Sequence, residues 1–209
     1  MNLELHAEAS SNYRKHTAAN PIQRKLIDRF HARIVSEIAD LEPKTFLDAG
    51  CGEGFVATRL ISALPSLAIT GCDVSREALA VAQETSPRAH FVPGSVTDLP
   101  FDDRSFDVVG CFEVIEHLRG NGPRLALAEL ARVSSRGVVL SVPNEPFFRY
   151  ANALRGKNLG VDPRGSDPDH HQFWSRSAFG ELVGEYLTVR ALYGSFPWTI
   201  CVAAVRDKR

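Results

Sequence analysis

The sequence predicts an α/β fold in which a mostly parallel, doubly wound sheet is covered by helices on both faces. Three observations carry this expectation. From Lys44 onward, short β-type runs alternate with helical runs, the order that builds a parallel sheet. The run Phe106 to Phe112 contains Phe, Val, Val and Phe and suits a strand buried on both faces. The last two strand-like runs, Leu187 to Tyr193 and Thr199 to Val205, have no helix between them, so they are expected to pair antiparallel as an edge hairpin.

The elements follow in order. Asn20-Pro21 reads as a helix start, with Asn as the cap and Pro at the first helical position. The helix is expected to run to about Leu41, with Ile22, Leu26, Phe30, Ile34 and Ile38 on one face. Arg24, Lys25, Arg29 and Arg33 occupy the other face, which serves either as a solvated surface or as a basic contact surface. A strand over 44–49 leads to a helix over 54–64, and a second strand, Leu67 to Cys72, ends in Asp73. Ser75 caps a helix to about Thr85, with Glu77 favouring its positive end. Strands are expected at Ala89–Val92 and Gly137–Val142, with a helix over Pro123–Val133 between Phe112 and Gly137. Residues 143–174 read as a long irregular segment, after which Ser175 caps a helix to about Glu185. With the closing hairpin, the pattern is a Rossmann-like seven-stranded sheet.

A chain of 209 residues suits one domain. The expected parts are a helical cap (1–43), a core (44–142), an insert (143–174), and a final helix and hairpin (175–209). The net charge of −1 gives no global basic footprint of the kind a dedicated nucleic-acid binder carries. No apolar run reaches the ~18 residues of a membrane span, and Met1 to Ser11 lacks the apolar core of a secretory signal. Residues 1–20 are polar and are expected to lie across the surface. Cys51, Cys72, Cys111 and Cys201 are scattered without C-x-x-C pairing, which reads as reduced thiols in a cytoplasmic protein. No membrane partner is expected, and the sequence specifies no oligomeric state.

The stretch Leu47-Asp48-Ala49-Gly50-Cys51-Gly52-Glu53-Gly54 places a glycine-rich turn between a strand and a helix. Glycines let the backbone turn sharply and approach a ligand, and the helix start offers free N–H groups. The spacing is G-x-G-x-G, which differs from the G-x-G-x-x-G of dinucleotide folds. Asp73, at the end of the second strand, is placed to accept hydrogen bonds from both ribose hydroxyls of a nucleoside.

Four pieces in order, D-A-G-C-G-E-G, G-C-D-V-S, G-S-V-T-D-L-P-F and S-F-D-V-V, resemble the class I S-adenosylmethionine-dependent methyltransferases over residues 44–142. The resemblance implies that Asp48, Gly50, Gly52 and Gly54 line the methionine and ribose parts of S-adenosyl-L-methionine, with Cys51 and Cys111 also in the cofactor site. It implies that Asp73 holds the ribose, that Val74 flanks the adenine, and that Ser95 and Val96 meet the adenine edge. Many relatives carry an aspartate where Ser95 stands. A sulfonium cofactor brings an already activated methyl, so the protein's tasks are alignment and exclusion of water.

A second constellation, Cys111-Phe112-Glu113-Val114-Ile115-Glu116-His117-Leu118, follows the fourth strand. If a helical turn begins near Glu113, then Glu113, Glu116 and His117 share one face. Asp169-His170-His171-Gln172-Phe173-Trp174 lies just before a helix. Two carboxylates and two imidazoles can hold a divalent metal ion, or a histidine can take the proton of an acceptor hydroxyl. The segments E-V-I-E-H-L, S-V-P-N and H-H-Q-F-W-S-R-S-A-F resemble the small-RNA 2′-O-methyltransferases that modify RNA 3′ ends. That resemblance implies metal ligands at Glu113, Glu116, His117 and His170, the last four residues before Trp174. Segments like E-V-I-E-H-L also occur in small-molecule methyltransferases of the ubiquinone pathway. The plainer reading of these residues is helix-start carboxylates with a histidine packed near the cofactor, and a polar loop at His170–His171.

The segment 143–174 reads as the acceptor-binding insert. It interleaves Phe147, Phe148 and Tyr150 with Arg149 and Arg155, which suits either a flat anionic ligand or an apolar lid. Phe196-Pro197-Trp198 is placed to close the same cleft. The function expected is methyl transfer to a small-molecule acceptor. The alternatives are a metal-assisted RNA ribose 2′-O-methyltransferase and a non-catalytic cofactor-binding scaffold.

Overall fold

A computed structural model of the chain describes residues 20–154, 156, 158, 160–161 and 166–206. The expectations for residues 1–19, for Arg155 and for the side chains of Phe147 and Phe148 fall outside what is described.

The chain begins with α1 (Pro21–Ala39), which Asn20 caps by accepting the N–H of Ile22 at 2.9 Å and of Gln23 at 3.4 Å. Five parallel strands follow: β1 (Thr45–Ala49), β2 (Ala68–Asp73), β3 (His90–Pro93), β4 (Phe106–Phe112) and β5 (Ser134–Pro143). Between them lie α2 (Phe55–Ala63), α3 (Arg76–Thr85), a 3₁₀ turn (Ile115–His117) and α4 (Gly122–Val133). After β5 come α5 (Glu145–Leu154), α6 (Arg176–Tyr186), β6 (Thr188–Ser195) and β7 (Trp198–Ala204).

Among the described residues the sheet has seven strands in the order β3-β2-β1-β4-β5-β7-β6. β7 is antiparallel to both β5 and β6, so the expected hairpin forms and β6 becomes the outer strand. Strand order reverses between β1 and β4, and a crevice opens there at the carboxyl ends of the strands.

Side-chain alternation assigns the two faces. Phe46, Val108, Val139 and Val202 pack with Phe30, Ile34 and Ile38 of α1 and Leu60 of α2. Their neighbours Leu47, Val109, Leu140 and Cys201 pack on the other face with Leu127 and Leu130 of α4 and Phe179 of α6. Asp107 accepts the N–H of Lys44 at 2.7 Å and of Thr45 at 3.2 Å, joining the start of β1 to β4. Those bonds, led by the one from Lys44, hold its carboxyl below the usual range.

Two readings of the sequence are corrected. The segment after β5 is not irregular throughout, because α5 occupies Glu145–Leu154. Pro146 concealed it: proline breaks a helix interior but is tolerated in the first turn. On α1, Ile22 and Leu26 do not join the core with Phe30, Ile34 and Ile38. Ile22 is 67% exposed, and both residues line the crevice, since the first turns of α1 overhang it.

Phe46 is fully buried between the sheet and α1, and a Cβ on Gly110 would stand 2.6 Å from its ring. Phe46→Ala is expected to cost about 3–5 kcal/mol, because the surrounding strands collapse only partly into the space. Urea unfolding at constant m-value reads the loss.

Candidate active site

The glycine turn after β1 forms because Gly50, Gly52 and Gly54 all take left-handed backbone angles, with φ of 80°, 50° and 77°. Side-chain-bearing residues are strained in that region. The N–H groups of Gly50 and Cys51 both donate to the Cys72 carbonyl, at 2.7 and 3.2 Å, which seats the turn on the end of β2. At that end the Asp73 carboxylate is held on both oxygens. Gly52 N–H donates to Oδ2 at 2.8 Å, and Ser75 N–H donates to Oδ1 at 2.9 Å. Each carboxylate oxygen has two lone pairs, so the fixed group retains capacity for two further donors.

These residues open on a cavity of about 800 Å³ that reaches from Asp73, Val74, Ser95 and Val96 to His117 and His170. Gly50 and Gly52 lie on its wall. Its far side is apolar, formed by Ile22, Leu26 and Ile27 of α1 and by the Phe30–Trp198 ring pair, whose centroids are 4.5 Å apart.

Of the expected cofactor residues, Gly50, Gly52, Asp73, Val74, Ser95 and Val96 line the cavity, whereas Asp48, Cys51, Gly54 and Cys111 do not. Cys111 is turned by strand alternation into the core against Ile115 and Leu140, and its burial raises the thiol well above its ordinary pKa. Cys51 is buried beside Gly71, and burial raises its thiol as well. Gly54 serves as the N-cap of α2, packed against Ala82. Glu53, Ser75, Ala78, Gly94 and Phe112 also line the cavity. Sequence reasoning did not single them out, although Glu53 lies within the glycine turn.

Asp48 lies beneath the turn, 2% exposed, and its Oδ2 has no hydrogen-bond partner among the described residues. Burial first, and then the nearby Asp73, push its carboxyl up to about 7.

The second constellation departs from the helical turn read from the sequence. Glu113 takes a left-handed φ of 59° and lies ahead of the 3₁₀ turn, so it does not share a helical face with Glu116 and His117. Its Oε1 accepts from the Ser141 hydroxyl at 2.8 Å. Among the described residues, the group whose ligand atoms all lie within 4.8 Å of one another is Glu116, His117 and His170. Two backbone bonds bring the 3₁₀ turn and the later loop together: the N–H groups of His171 and Gln172 donate to the Glu116 carbonyl at 2.8 and 3.0 Å. His117 Nδ1 lies 2.9 Å from the Asp169 carbonyl, an acceptor, so Nδ1 carries the proton of that bond. Buried His170 meets the His117 ring edge-on, while exposed His171 accepts from Arg119 Nε at 3.0 Å, away from the group. Glu116 is buried. This nitrogen and oxygen donor set suits a divalent cation and equally suits proton transfer.

The family model described as "Methyltransferase domain" matches residues 47–142. The ubiquinone biosynthesis O-methyltransferase of Rickettsia bellii is 31% identical over 171 residues, covering 78% of this chain and 68% of that protein. The chain belongs to the class I S-adenosylmethionine-dependent methyltransferases.

The demethylmenaquinone methyltransferase of Thermotoga maritima is 37% identical to this methyltransferase over 81 residues, covering 39% of the chain and only 35% of that protein. Among solved structures, the methyltransferase domain of a bacterial Hen1 protein shares the fold with a TM-score of 0.65 at 24% identity, over 86% of this chain and 99% of that one. The cofactor of the family, S-adenosylmethionine, carries a sulfonium and an ammonium. A buried carboxylate oxygen without a partner, as at Asp48, fits such a cation, and the doubly anchored Asp73 fits a diol.

Because the folded pKa of Asp48 stands above that of the unfolded chain, its ionisation opposes folding. The favourable contribution is complete below pH ~4 and is lost as pH rises through about 7. Asp48→Asn is therefore expected to raise the thermal midpoint relative to wild type by several degrees at pH 8 and by less at pH 5. The same change is expected to weaken S-adenosylmethionine binding roughly tenfold. Wild-type affinity should also fall as pH drops below about 7. Scanning calorimetry and titration calorimetry read the two effects, and an unchanged affinity would count against an ionised Asp48 beneath the turn acting on the cofactor's charge.

Proposed function

We propose that residues 1–209 act as a single methyltransferase domain in the cytoplasm, moving the methyl group of S-adenosylmethionine to a hydroxyl of a small-molecule acceptor. When bound, the cofactor supplies a methyl group already activated on a sulfonium. In this reading Asp73 receives the ribose hydroxyls, Val74, Ser95 and Val96 border the adenine, and Gly50 and Gly52 allow close approach. Asp48 balances the positive charge from beneath the turn.

The observation that carries the acceptor reading is the bond between His117 Nδ1 and the Asp169 carbonyl. It holds the His117 ring, with Nδ1 protonated, at the wall of the cavity that the Phe30–Trp198 pair also lines. A hydroxyl attacks a methyl group better as its proton departs, and an imidazole at neutral pH is suited to receive it. The apolar wall suits the body of a flat organic molecule. The oxygen as acceptor atom also draws support from the name of the Rickettsia bellii relative, a ubiquinone biosynthesis O-methyltransferase.

One observation favours a second reading. The convergence of Glu116, His117 and His170 supports a divalent cation that would grip the hydroxyls of an RNA 3′-terminal ribose. In that reading Glu113 would have to leave its bond with Ser141 to complete a four-residue set.

The readings separate by experiment. With a small-molecule acceptor, His117→Ala is expected to lower kcat by roughly 10²–10⁴-fold while S-adenosylhomocysteine affinity stays near that of wild type. Activity should be indifferent to a chelator. Loss of activity with chelator, recovery on adding a divalent metal, and methylation of RNA 3′ ends would instead establish the second reading.

A further inference from the structure

β3 and β4 are joined by residues 94–105 without an intervening helix, yet this stretch brings Gly94, Ser95 and Val96 to the cavity wall. Backbone groups outside a helix or ladder need partners elsewhere. Ser95 and Asp98 form an isolated bridge, and Ser95 Oγ accepts the Thr97 N–H at 3.2 Å. These bonds shape the tip without attaching it. Gly94 N–H donates to the Asp73 carbonyl at 3.0 Å and secures the near end.

The far end is secured by two charged side chains one turn apart on α4. Leu99 N–H donates to Glu129 Oε2 at 2.8 Å. Arg132 donates from Nη2 to the Leu99 carbonyl at 3.0 Å and from Nη1 to the Phe101 carbonyl at 2.7 Å. The two residues also pair with each other, Nε to Oε1 at 2.7 Å and Nη2 to Oε2 at 2.8 Å. Such a bidentate fork is rigid and directional, which a lysine in the same place is not. Its bond from Arg132, more than any other contact, holds the Glu129 carboxyl below its usual range, so both partners are charged at neutral pH.

We propose that Glu129 and Arg132 are positioning residues for the cofactor, holding residues 94–101 in the form that presents Ser95 and Val96 to the adenine. The inference rests on the adenine placement of the proposed function. Neither residue lines the cavity, so the effect reaches the ligand only through the loop. A loop ordered in advance spares the ligand the entropy of ordering it, and that difference appears in the dissociation constant. The competing account is that Val96 and Leu99, buried to 6% and 3% exposure, anchor the loop by apolar packing alone.

The test is titration calorimetry of S-adenosylhomocysteine into the full chain and four variants, each verified as folded by circular dichroism. Arg132→Gln is expected to weaken binding roughly tenfold or more, and Arg132→Lys by less, since a point charge keeps only part of the fork. Ile38→Ala, a core change on α1 on the opposite face of the sheet from Val96 and Leu99, lowers stability without touching the loop and should bind as wild type does. Glu129→Gln keeps an acceptor for Leu99 but loses the charge, and should weaken binding measurably even if Arg132→Gln does not fold. Wild-type affinity in Glu129→Gln, or in a folded Arg132→Gln, overturns the inference and leaves the cofactor reading standing. A wild-type chain that does not bind S-adenosylhomocysteine overturns both.

Discussion

The Asp73 carboxylate, clamped between the N–H groups of Gly52 and Ser75, is the interaction on which the proposed cofactor site depends. One oxygen ties the glycine turn after β1 to the end of β2, and the other orders the chain entering α3. The carboxylate is thereby fixed on the cavity wall before any ligand arrives, with acceptor capacity to spare. The left-handed angles of the three glycines are the backbone's part of the same arrangement. Without them the Gly52 N–H could not turn toward Asp73.

The rest of the fold brings different chemistry to the two ends of this cavity. Reversal of strand order between β1 and β4 opens the crevice, and the first turns of α1 roof it with apolar side chains. The end of β4 then buckles through the left-handed Glu113 into a 3₁₀ turn, whose Glu116 carbonyl captures the loop bearing His170. In the proposed reading, cofactor binding rests on strand ends, whereas acceptor chemistry rests on a turn and a loop held by two backbone bonds. The same division of labour lets one scaffold host many acceptors.

Much of this was legible in the sequence, and the reasons are local. Alternation of strand and helix, the Asn20 and Ser75 caps, and the position of Asp73 after a β-type run each follow from a few adjacent residues. What escaped depends on contacts between distant residues or on exceptions to local rules. The α5 helix was hidden by Pro146, and the conformation of Glu113 by a side chain that ordinarily avoids positive φ. That β4 is buried on both faces was legible, but not that Cys111 turns to the side of α4 and α6 and leaves the cavity. That His170, and not His171, lies beside Glu116 and His117 appears only in three dimensions, where His171 instead accepts from Arg119. Glu129 and Arg132 stand three residues apart on a helix, and nothing in that spacing points to the loop they hold.

The claim that Asp73 grips the cofactor through its ribose is tested most directly by titrating S-adenosylhomocysteine into wild-type protein and Asp73→Ala. Loss of two charge-assisted hydrogen bonds should weaken binding by on the order of a hundredfold, with the protein still folded. Binding unchanged in Asp73→Ala would contradict the account.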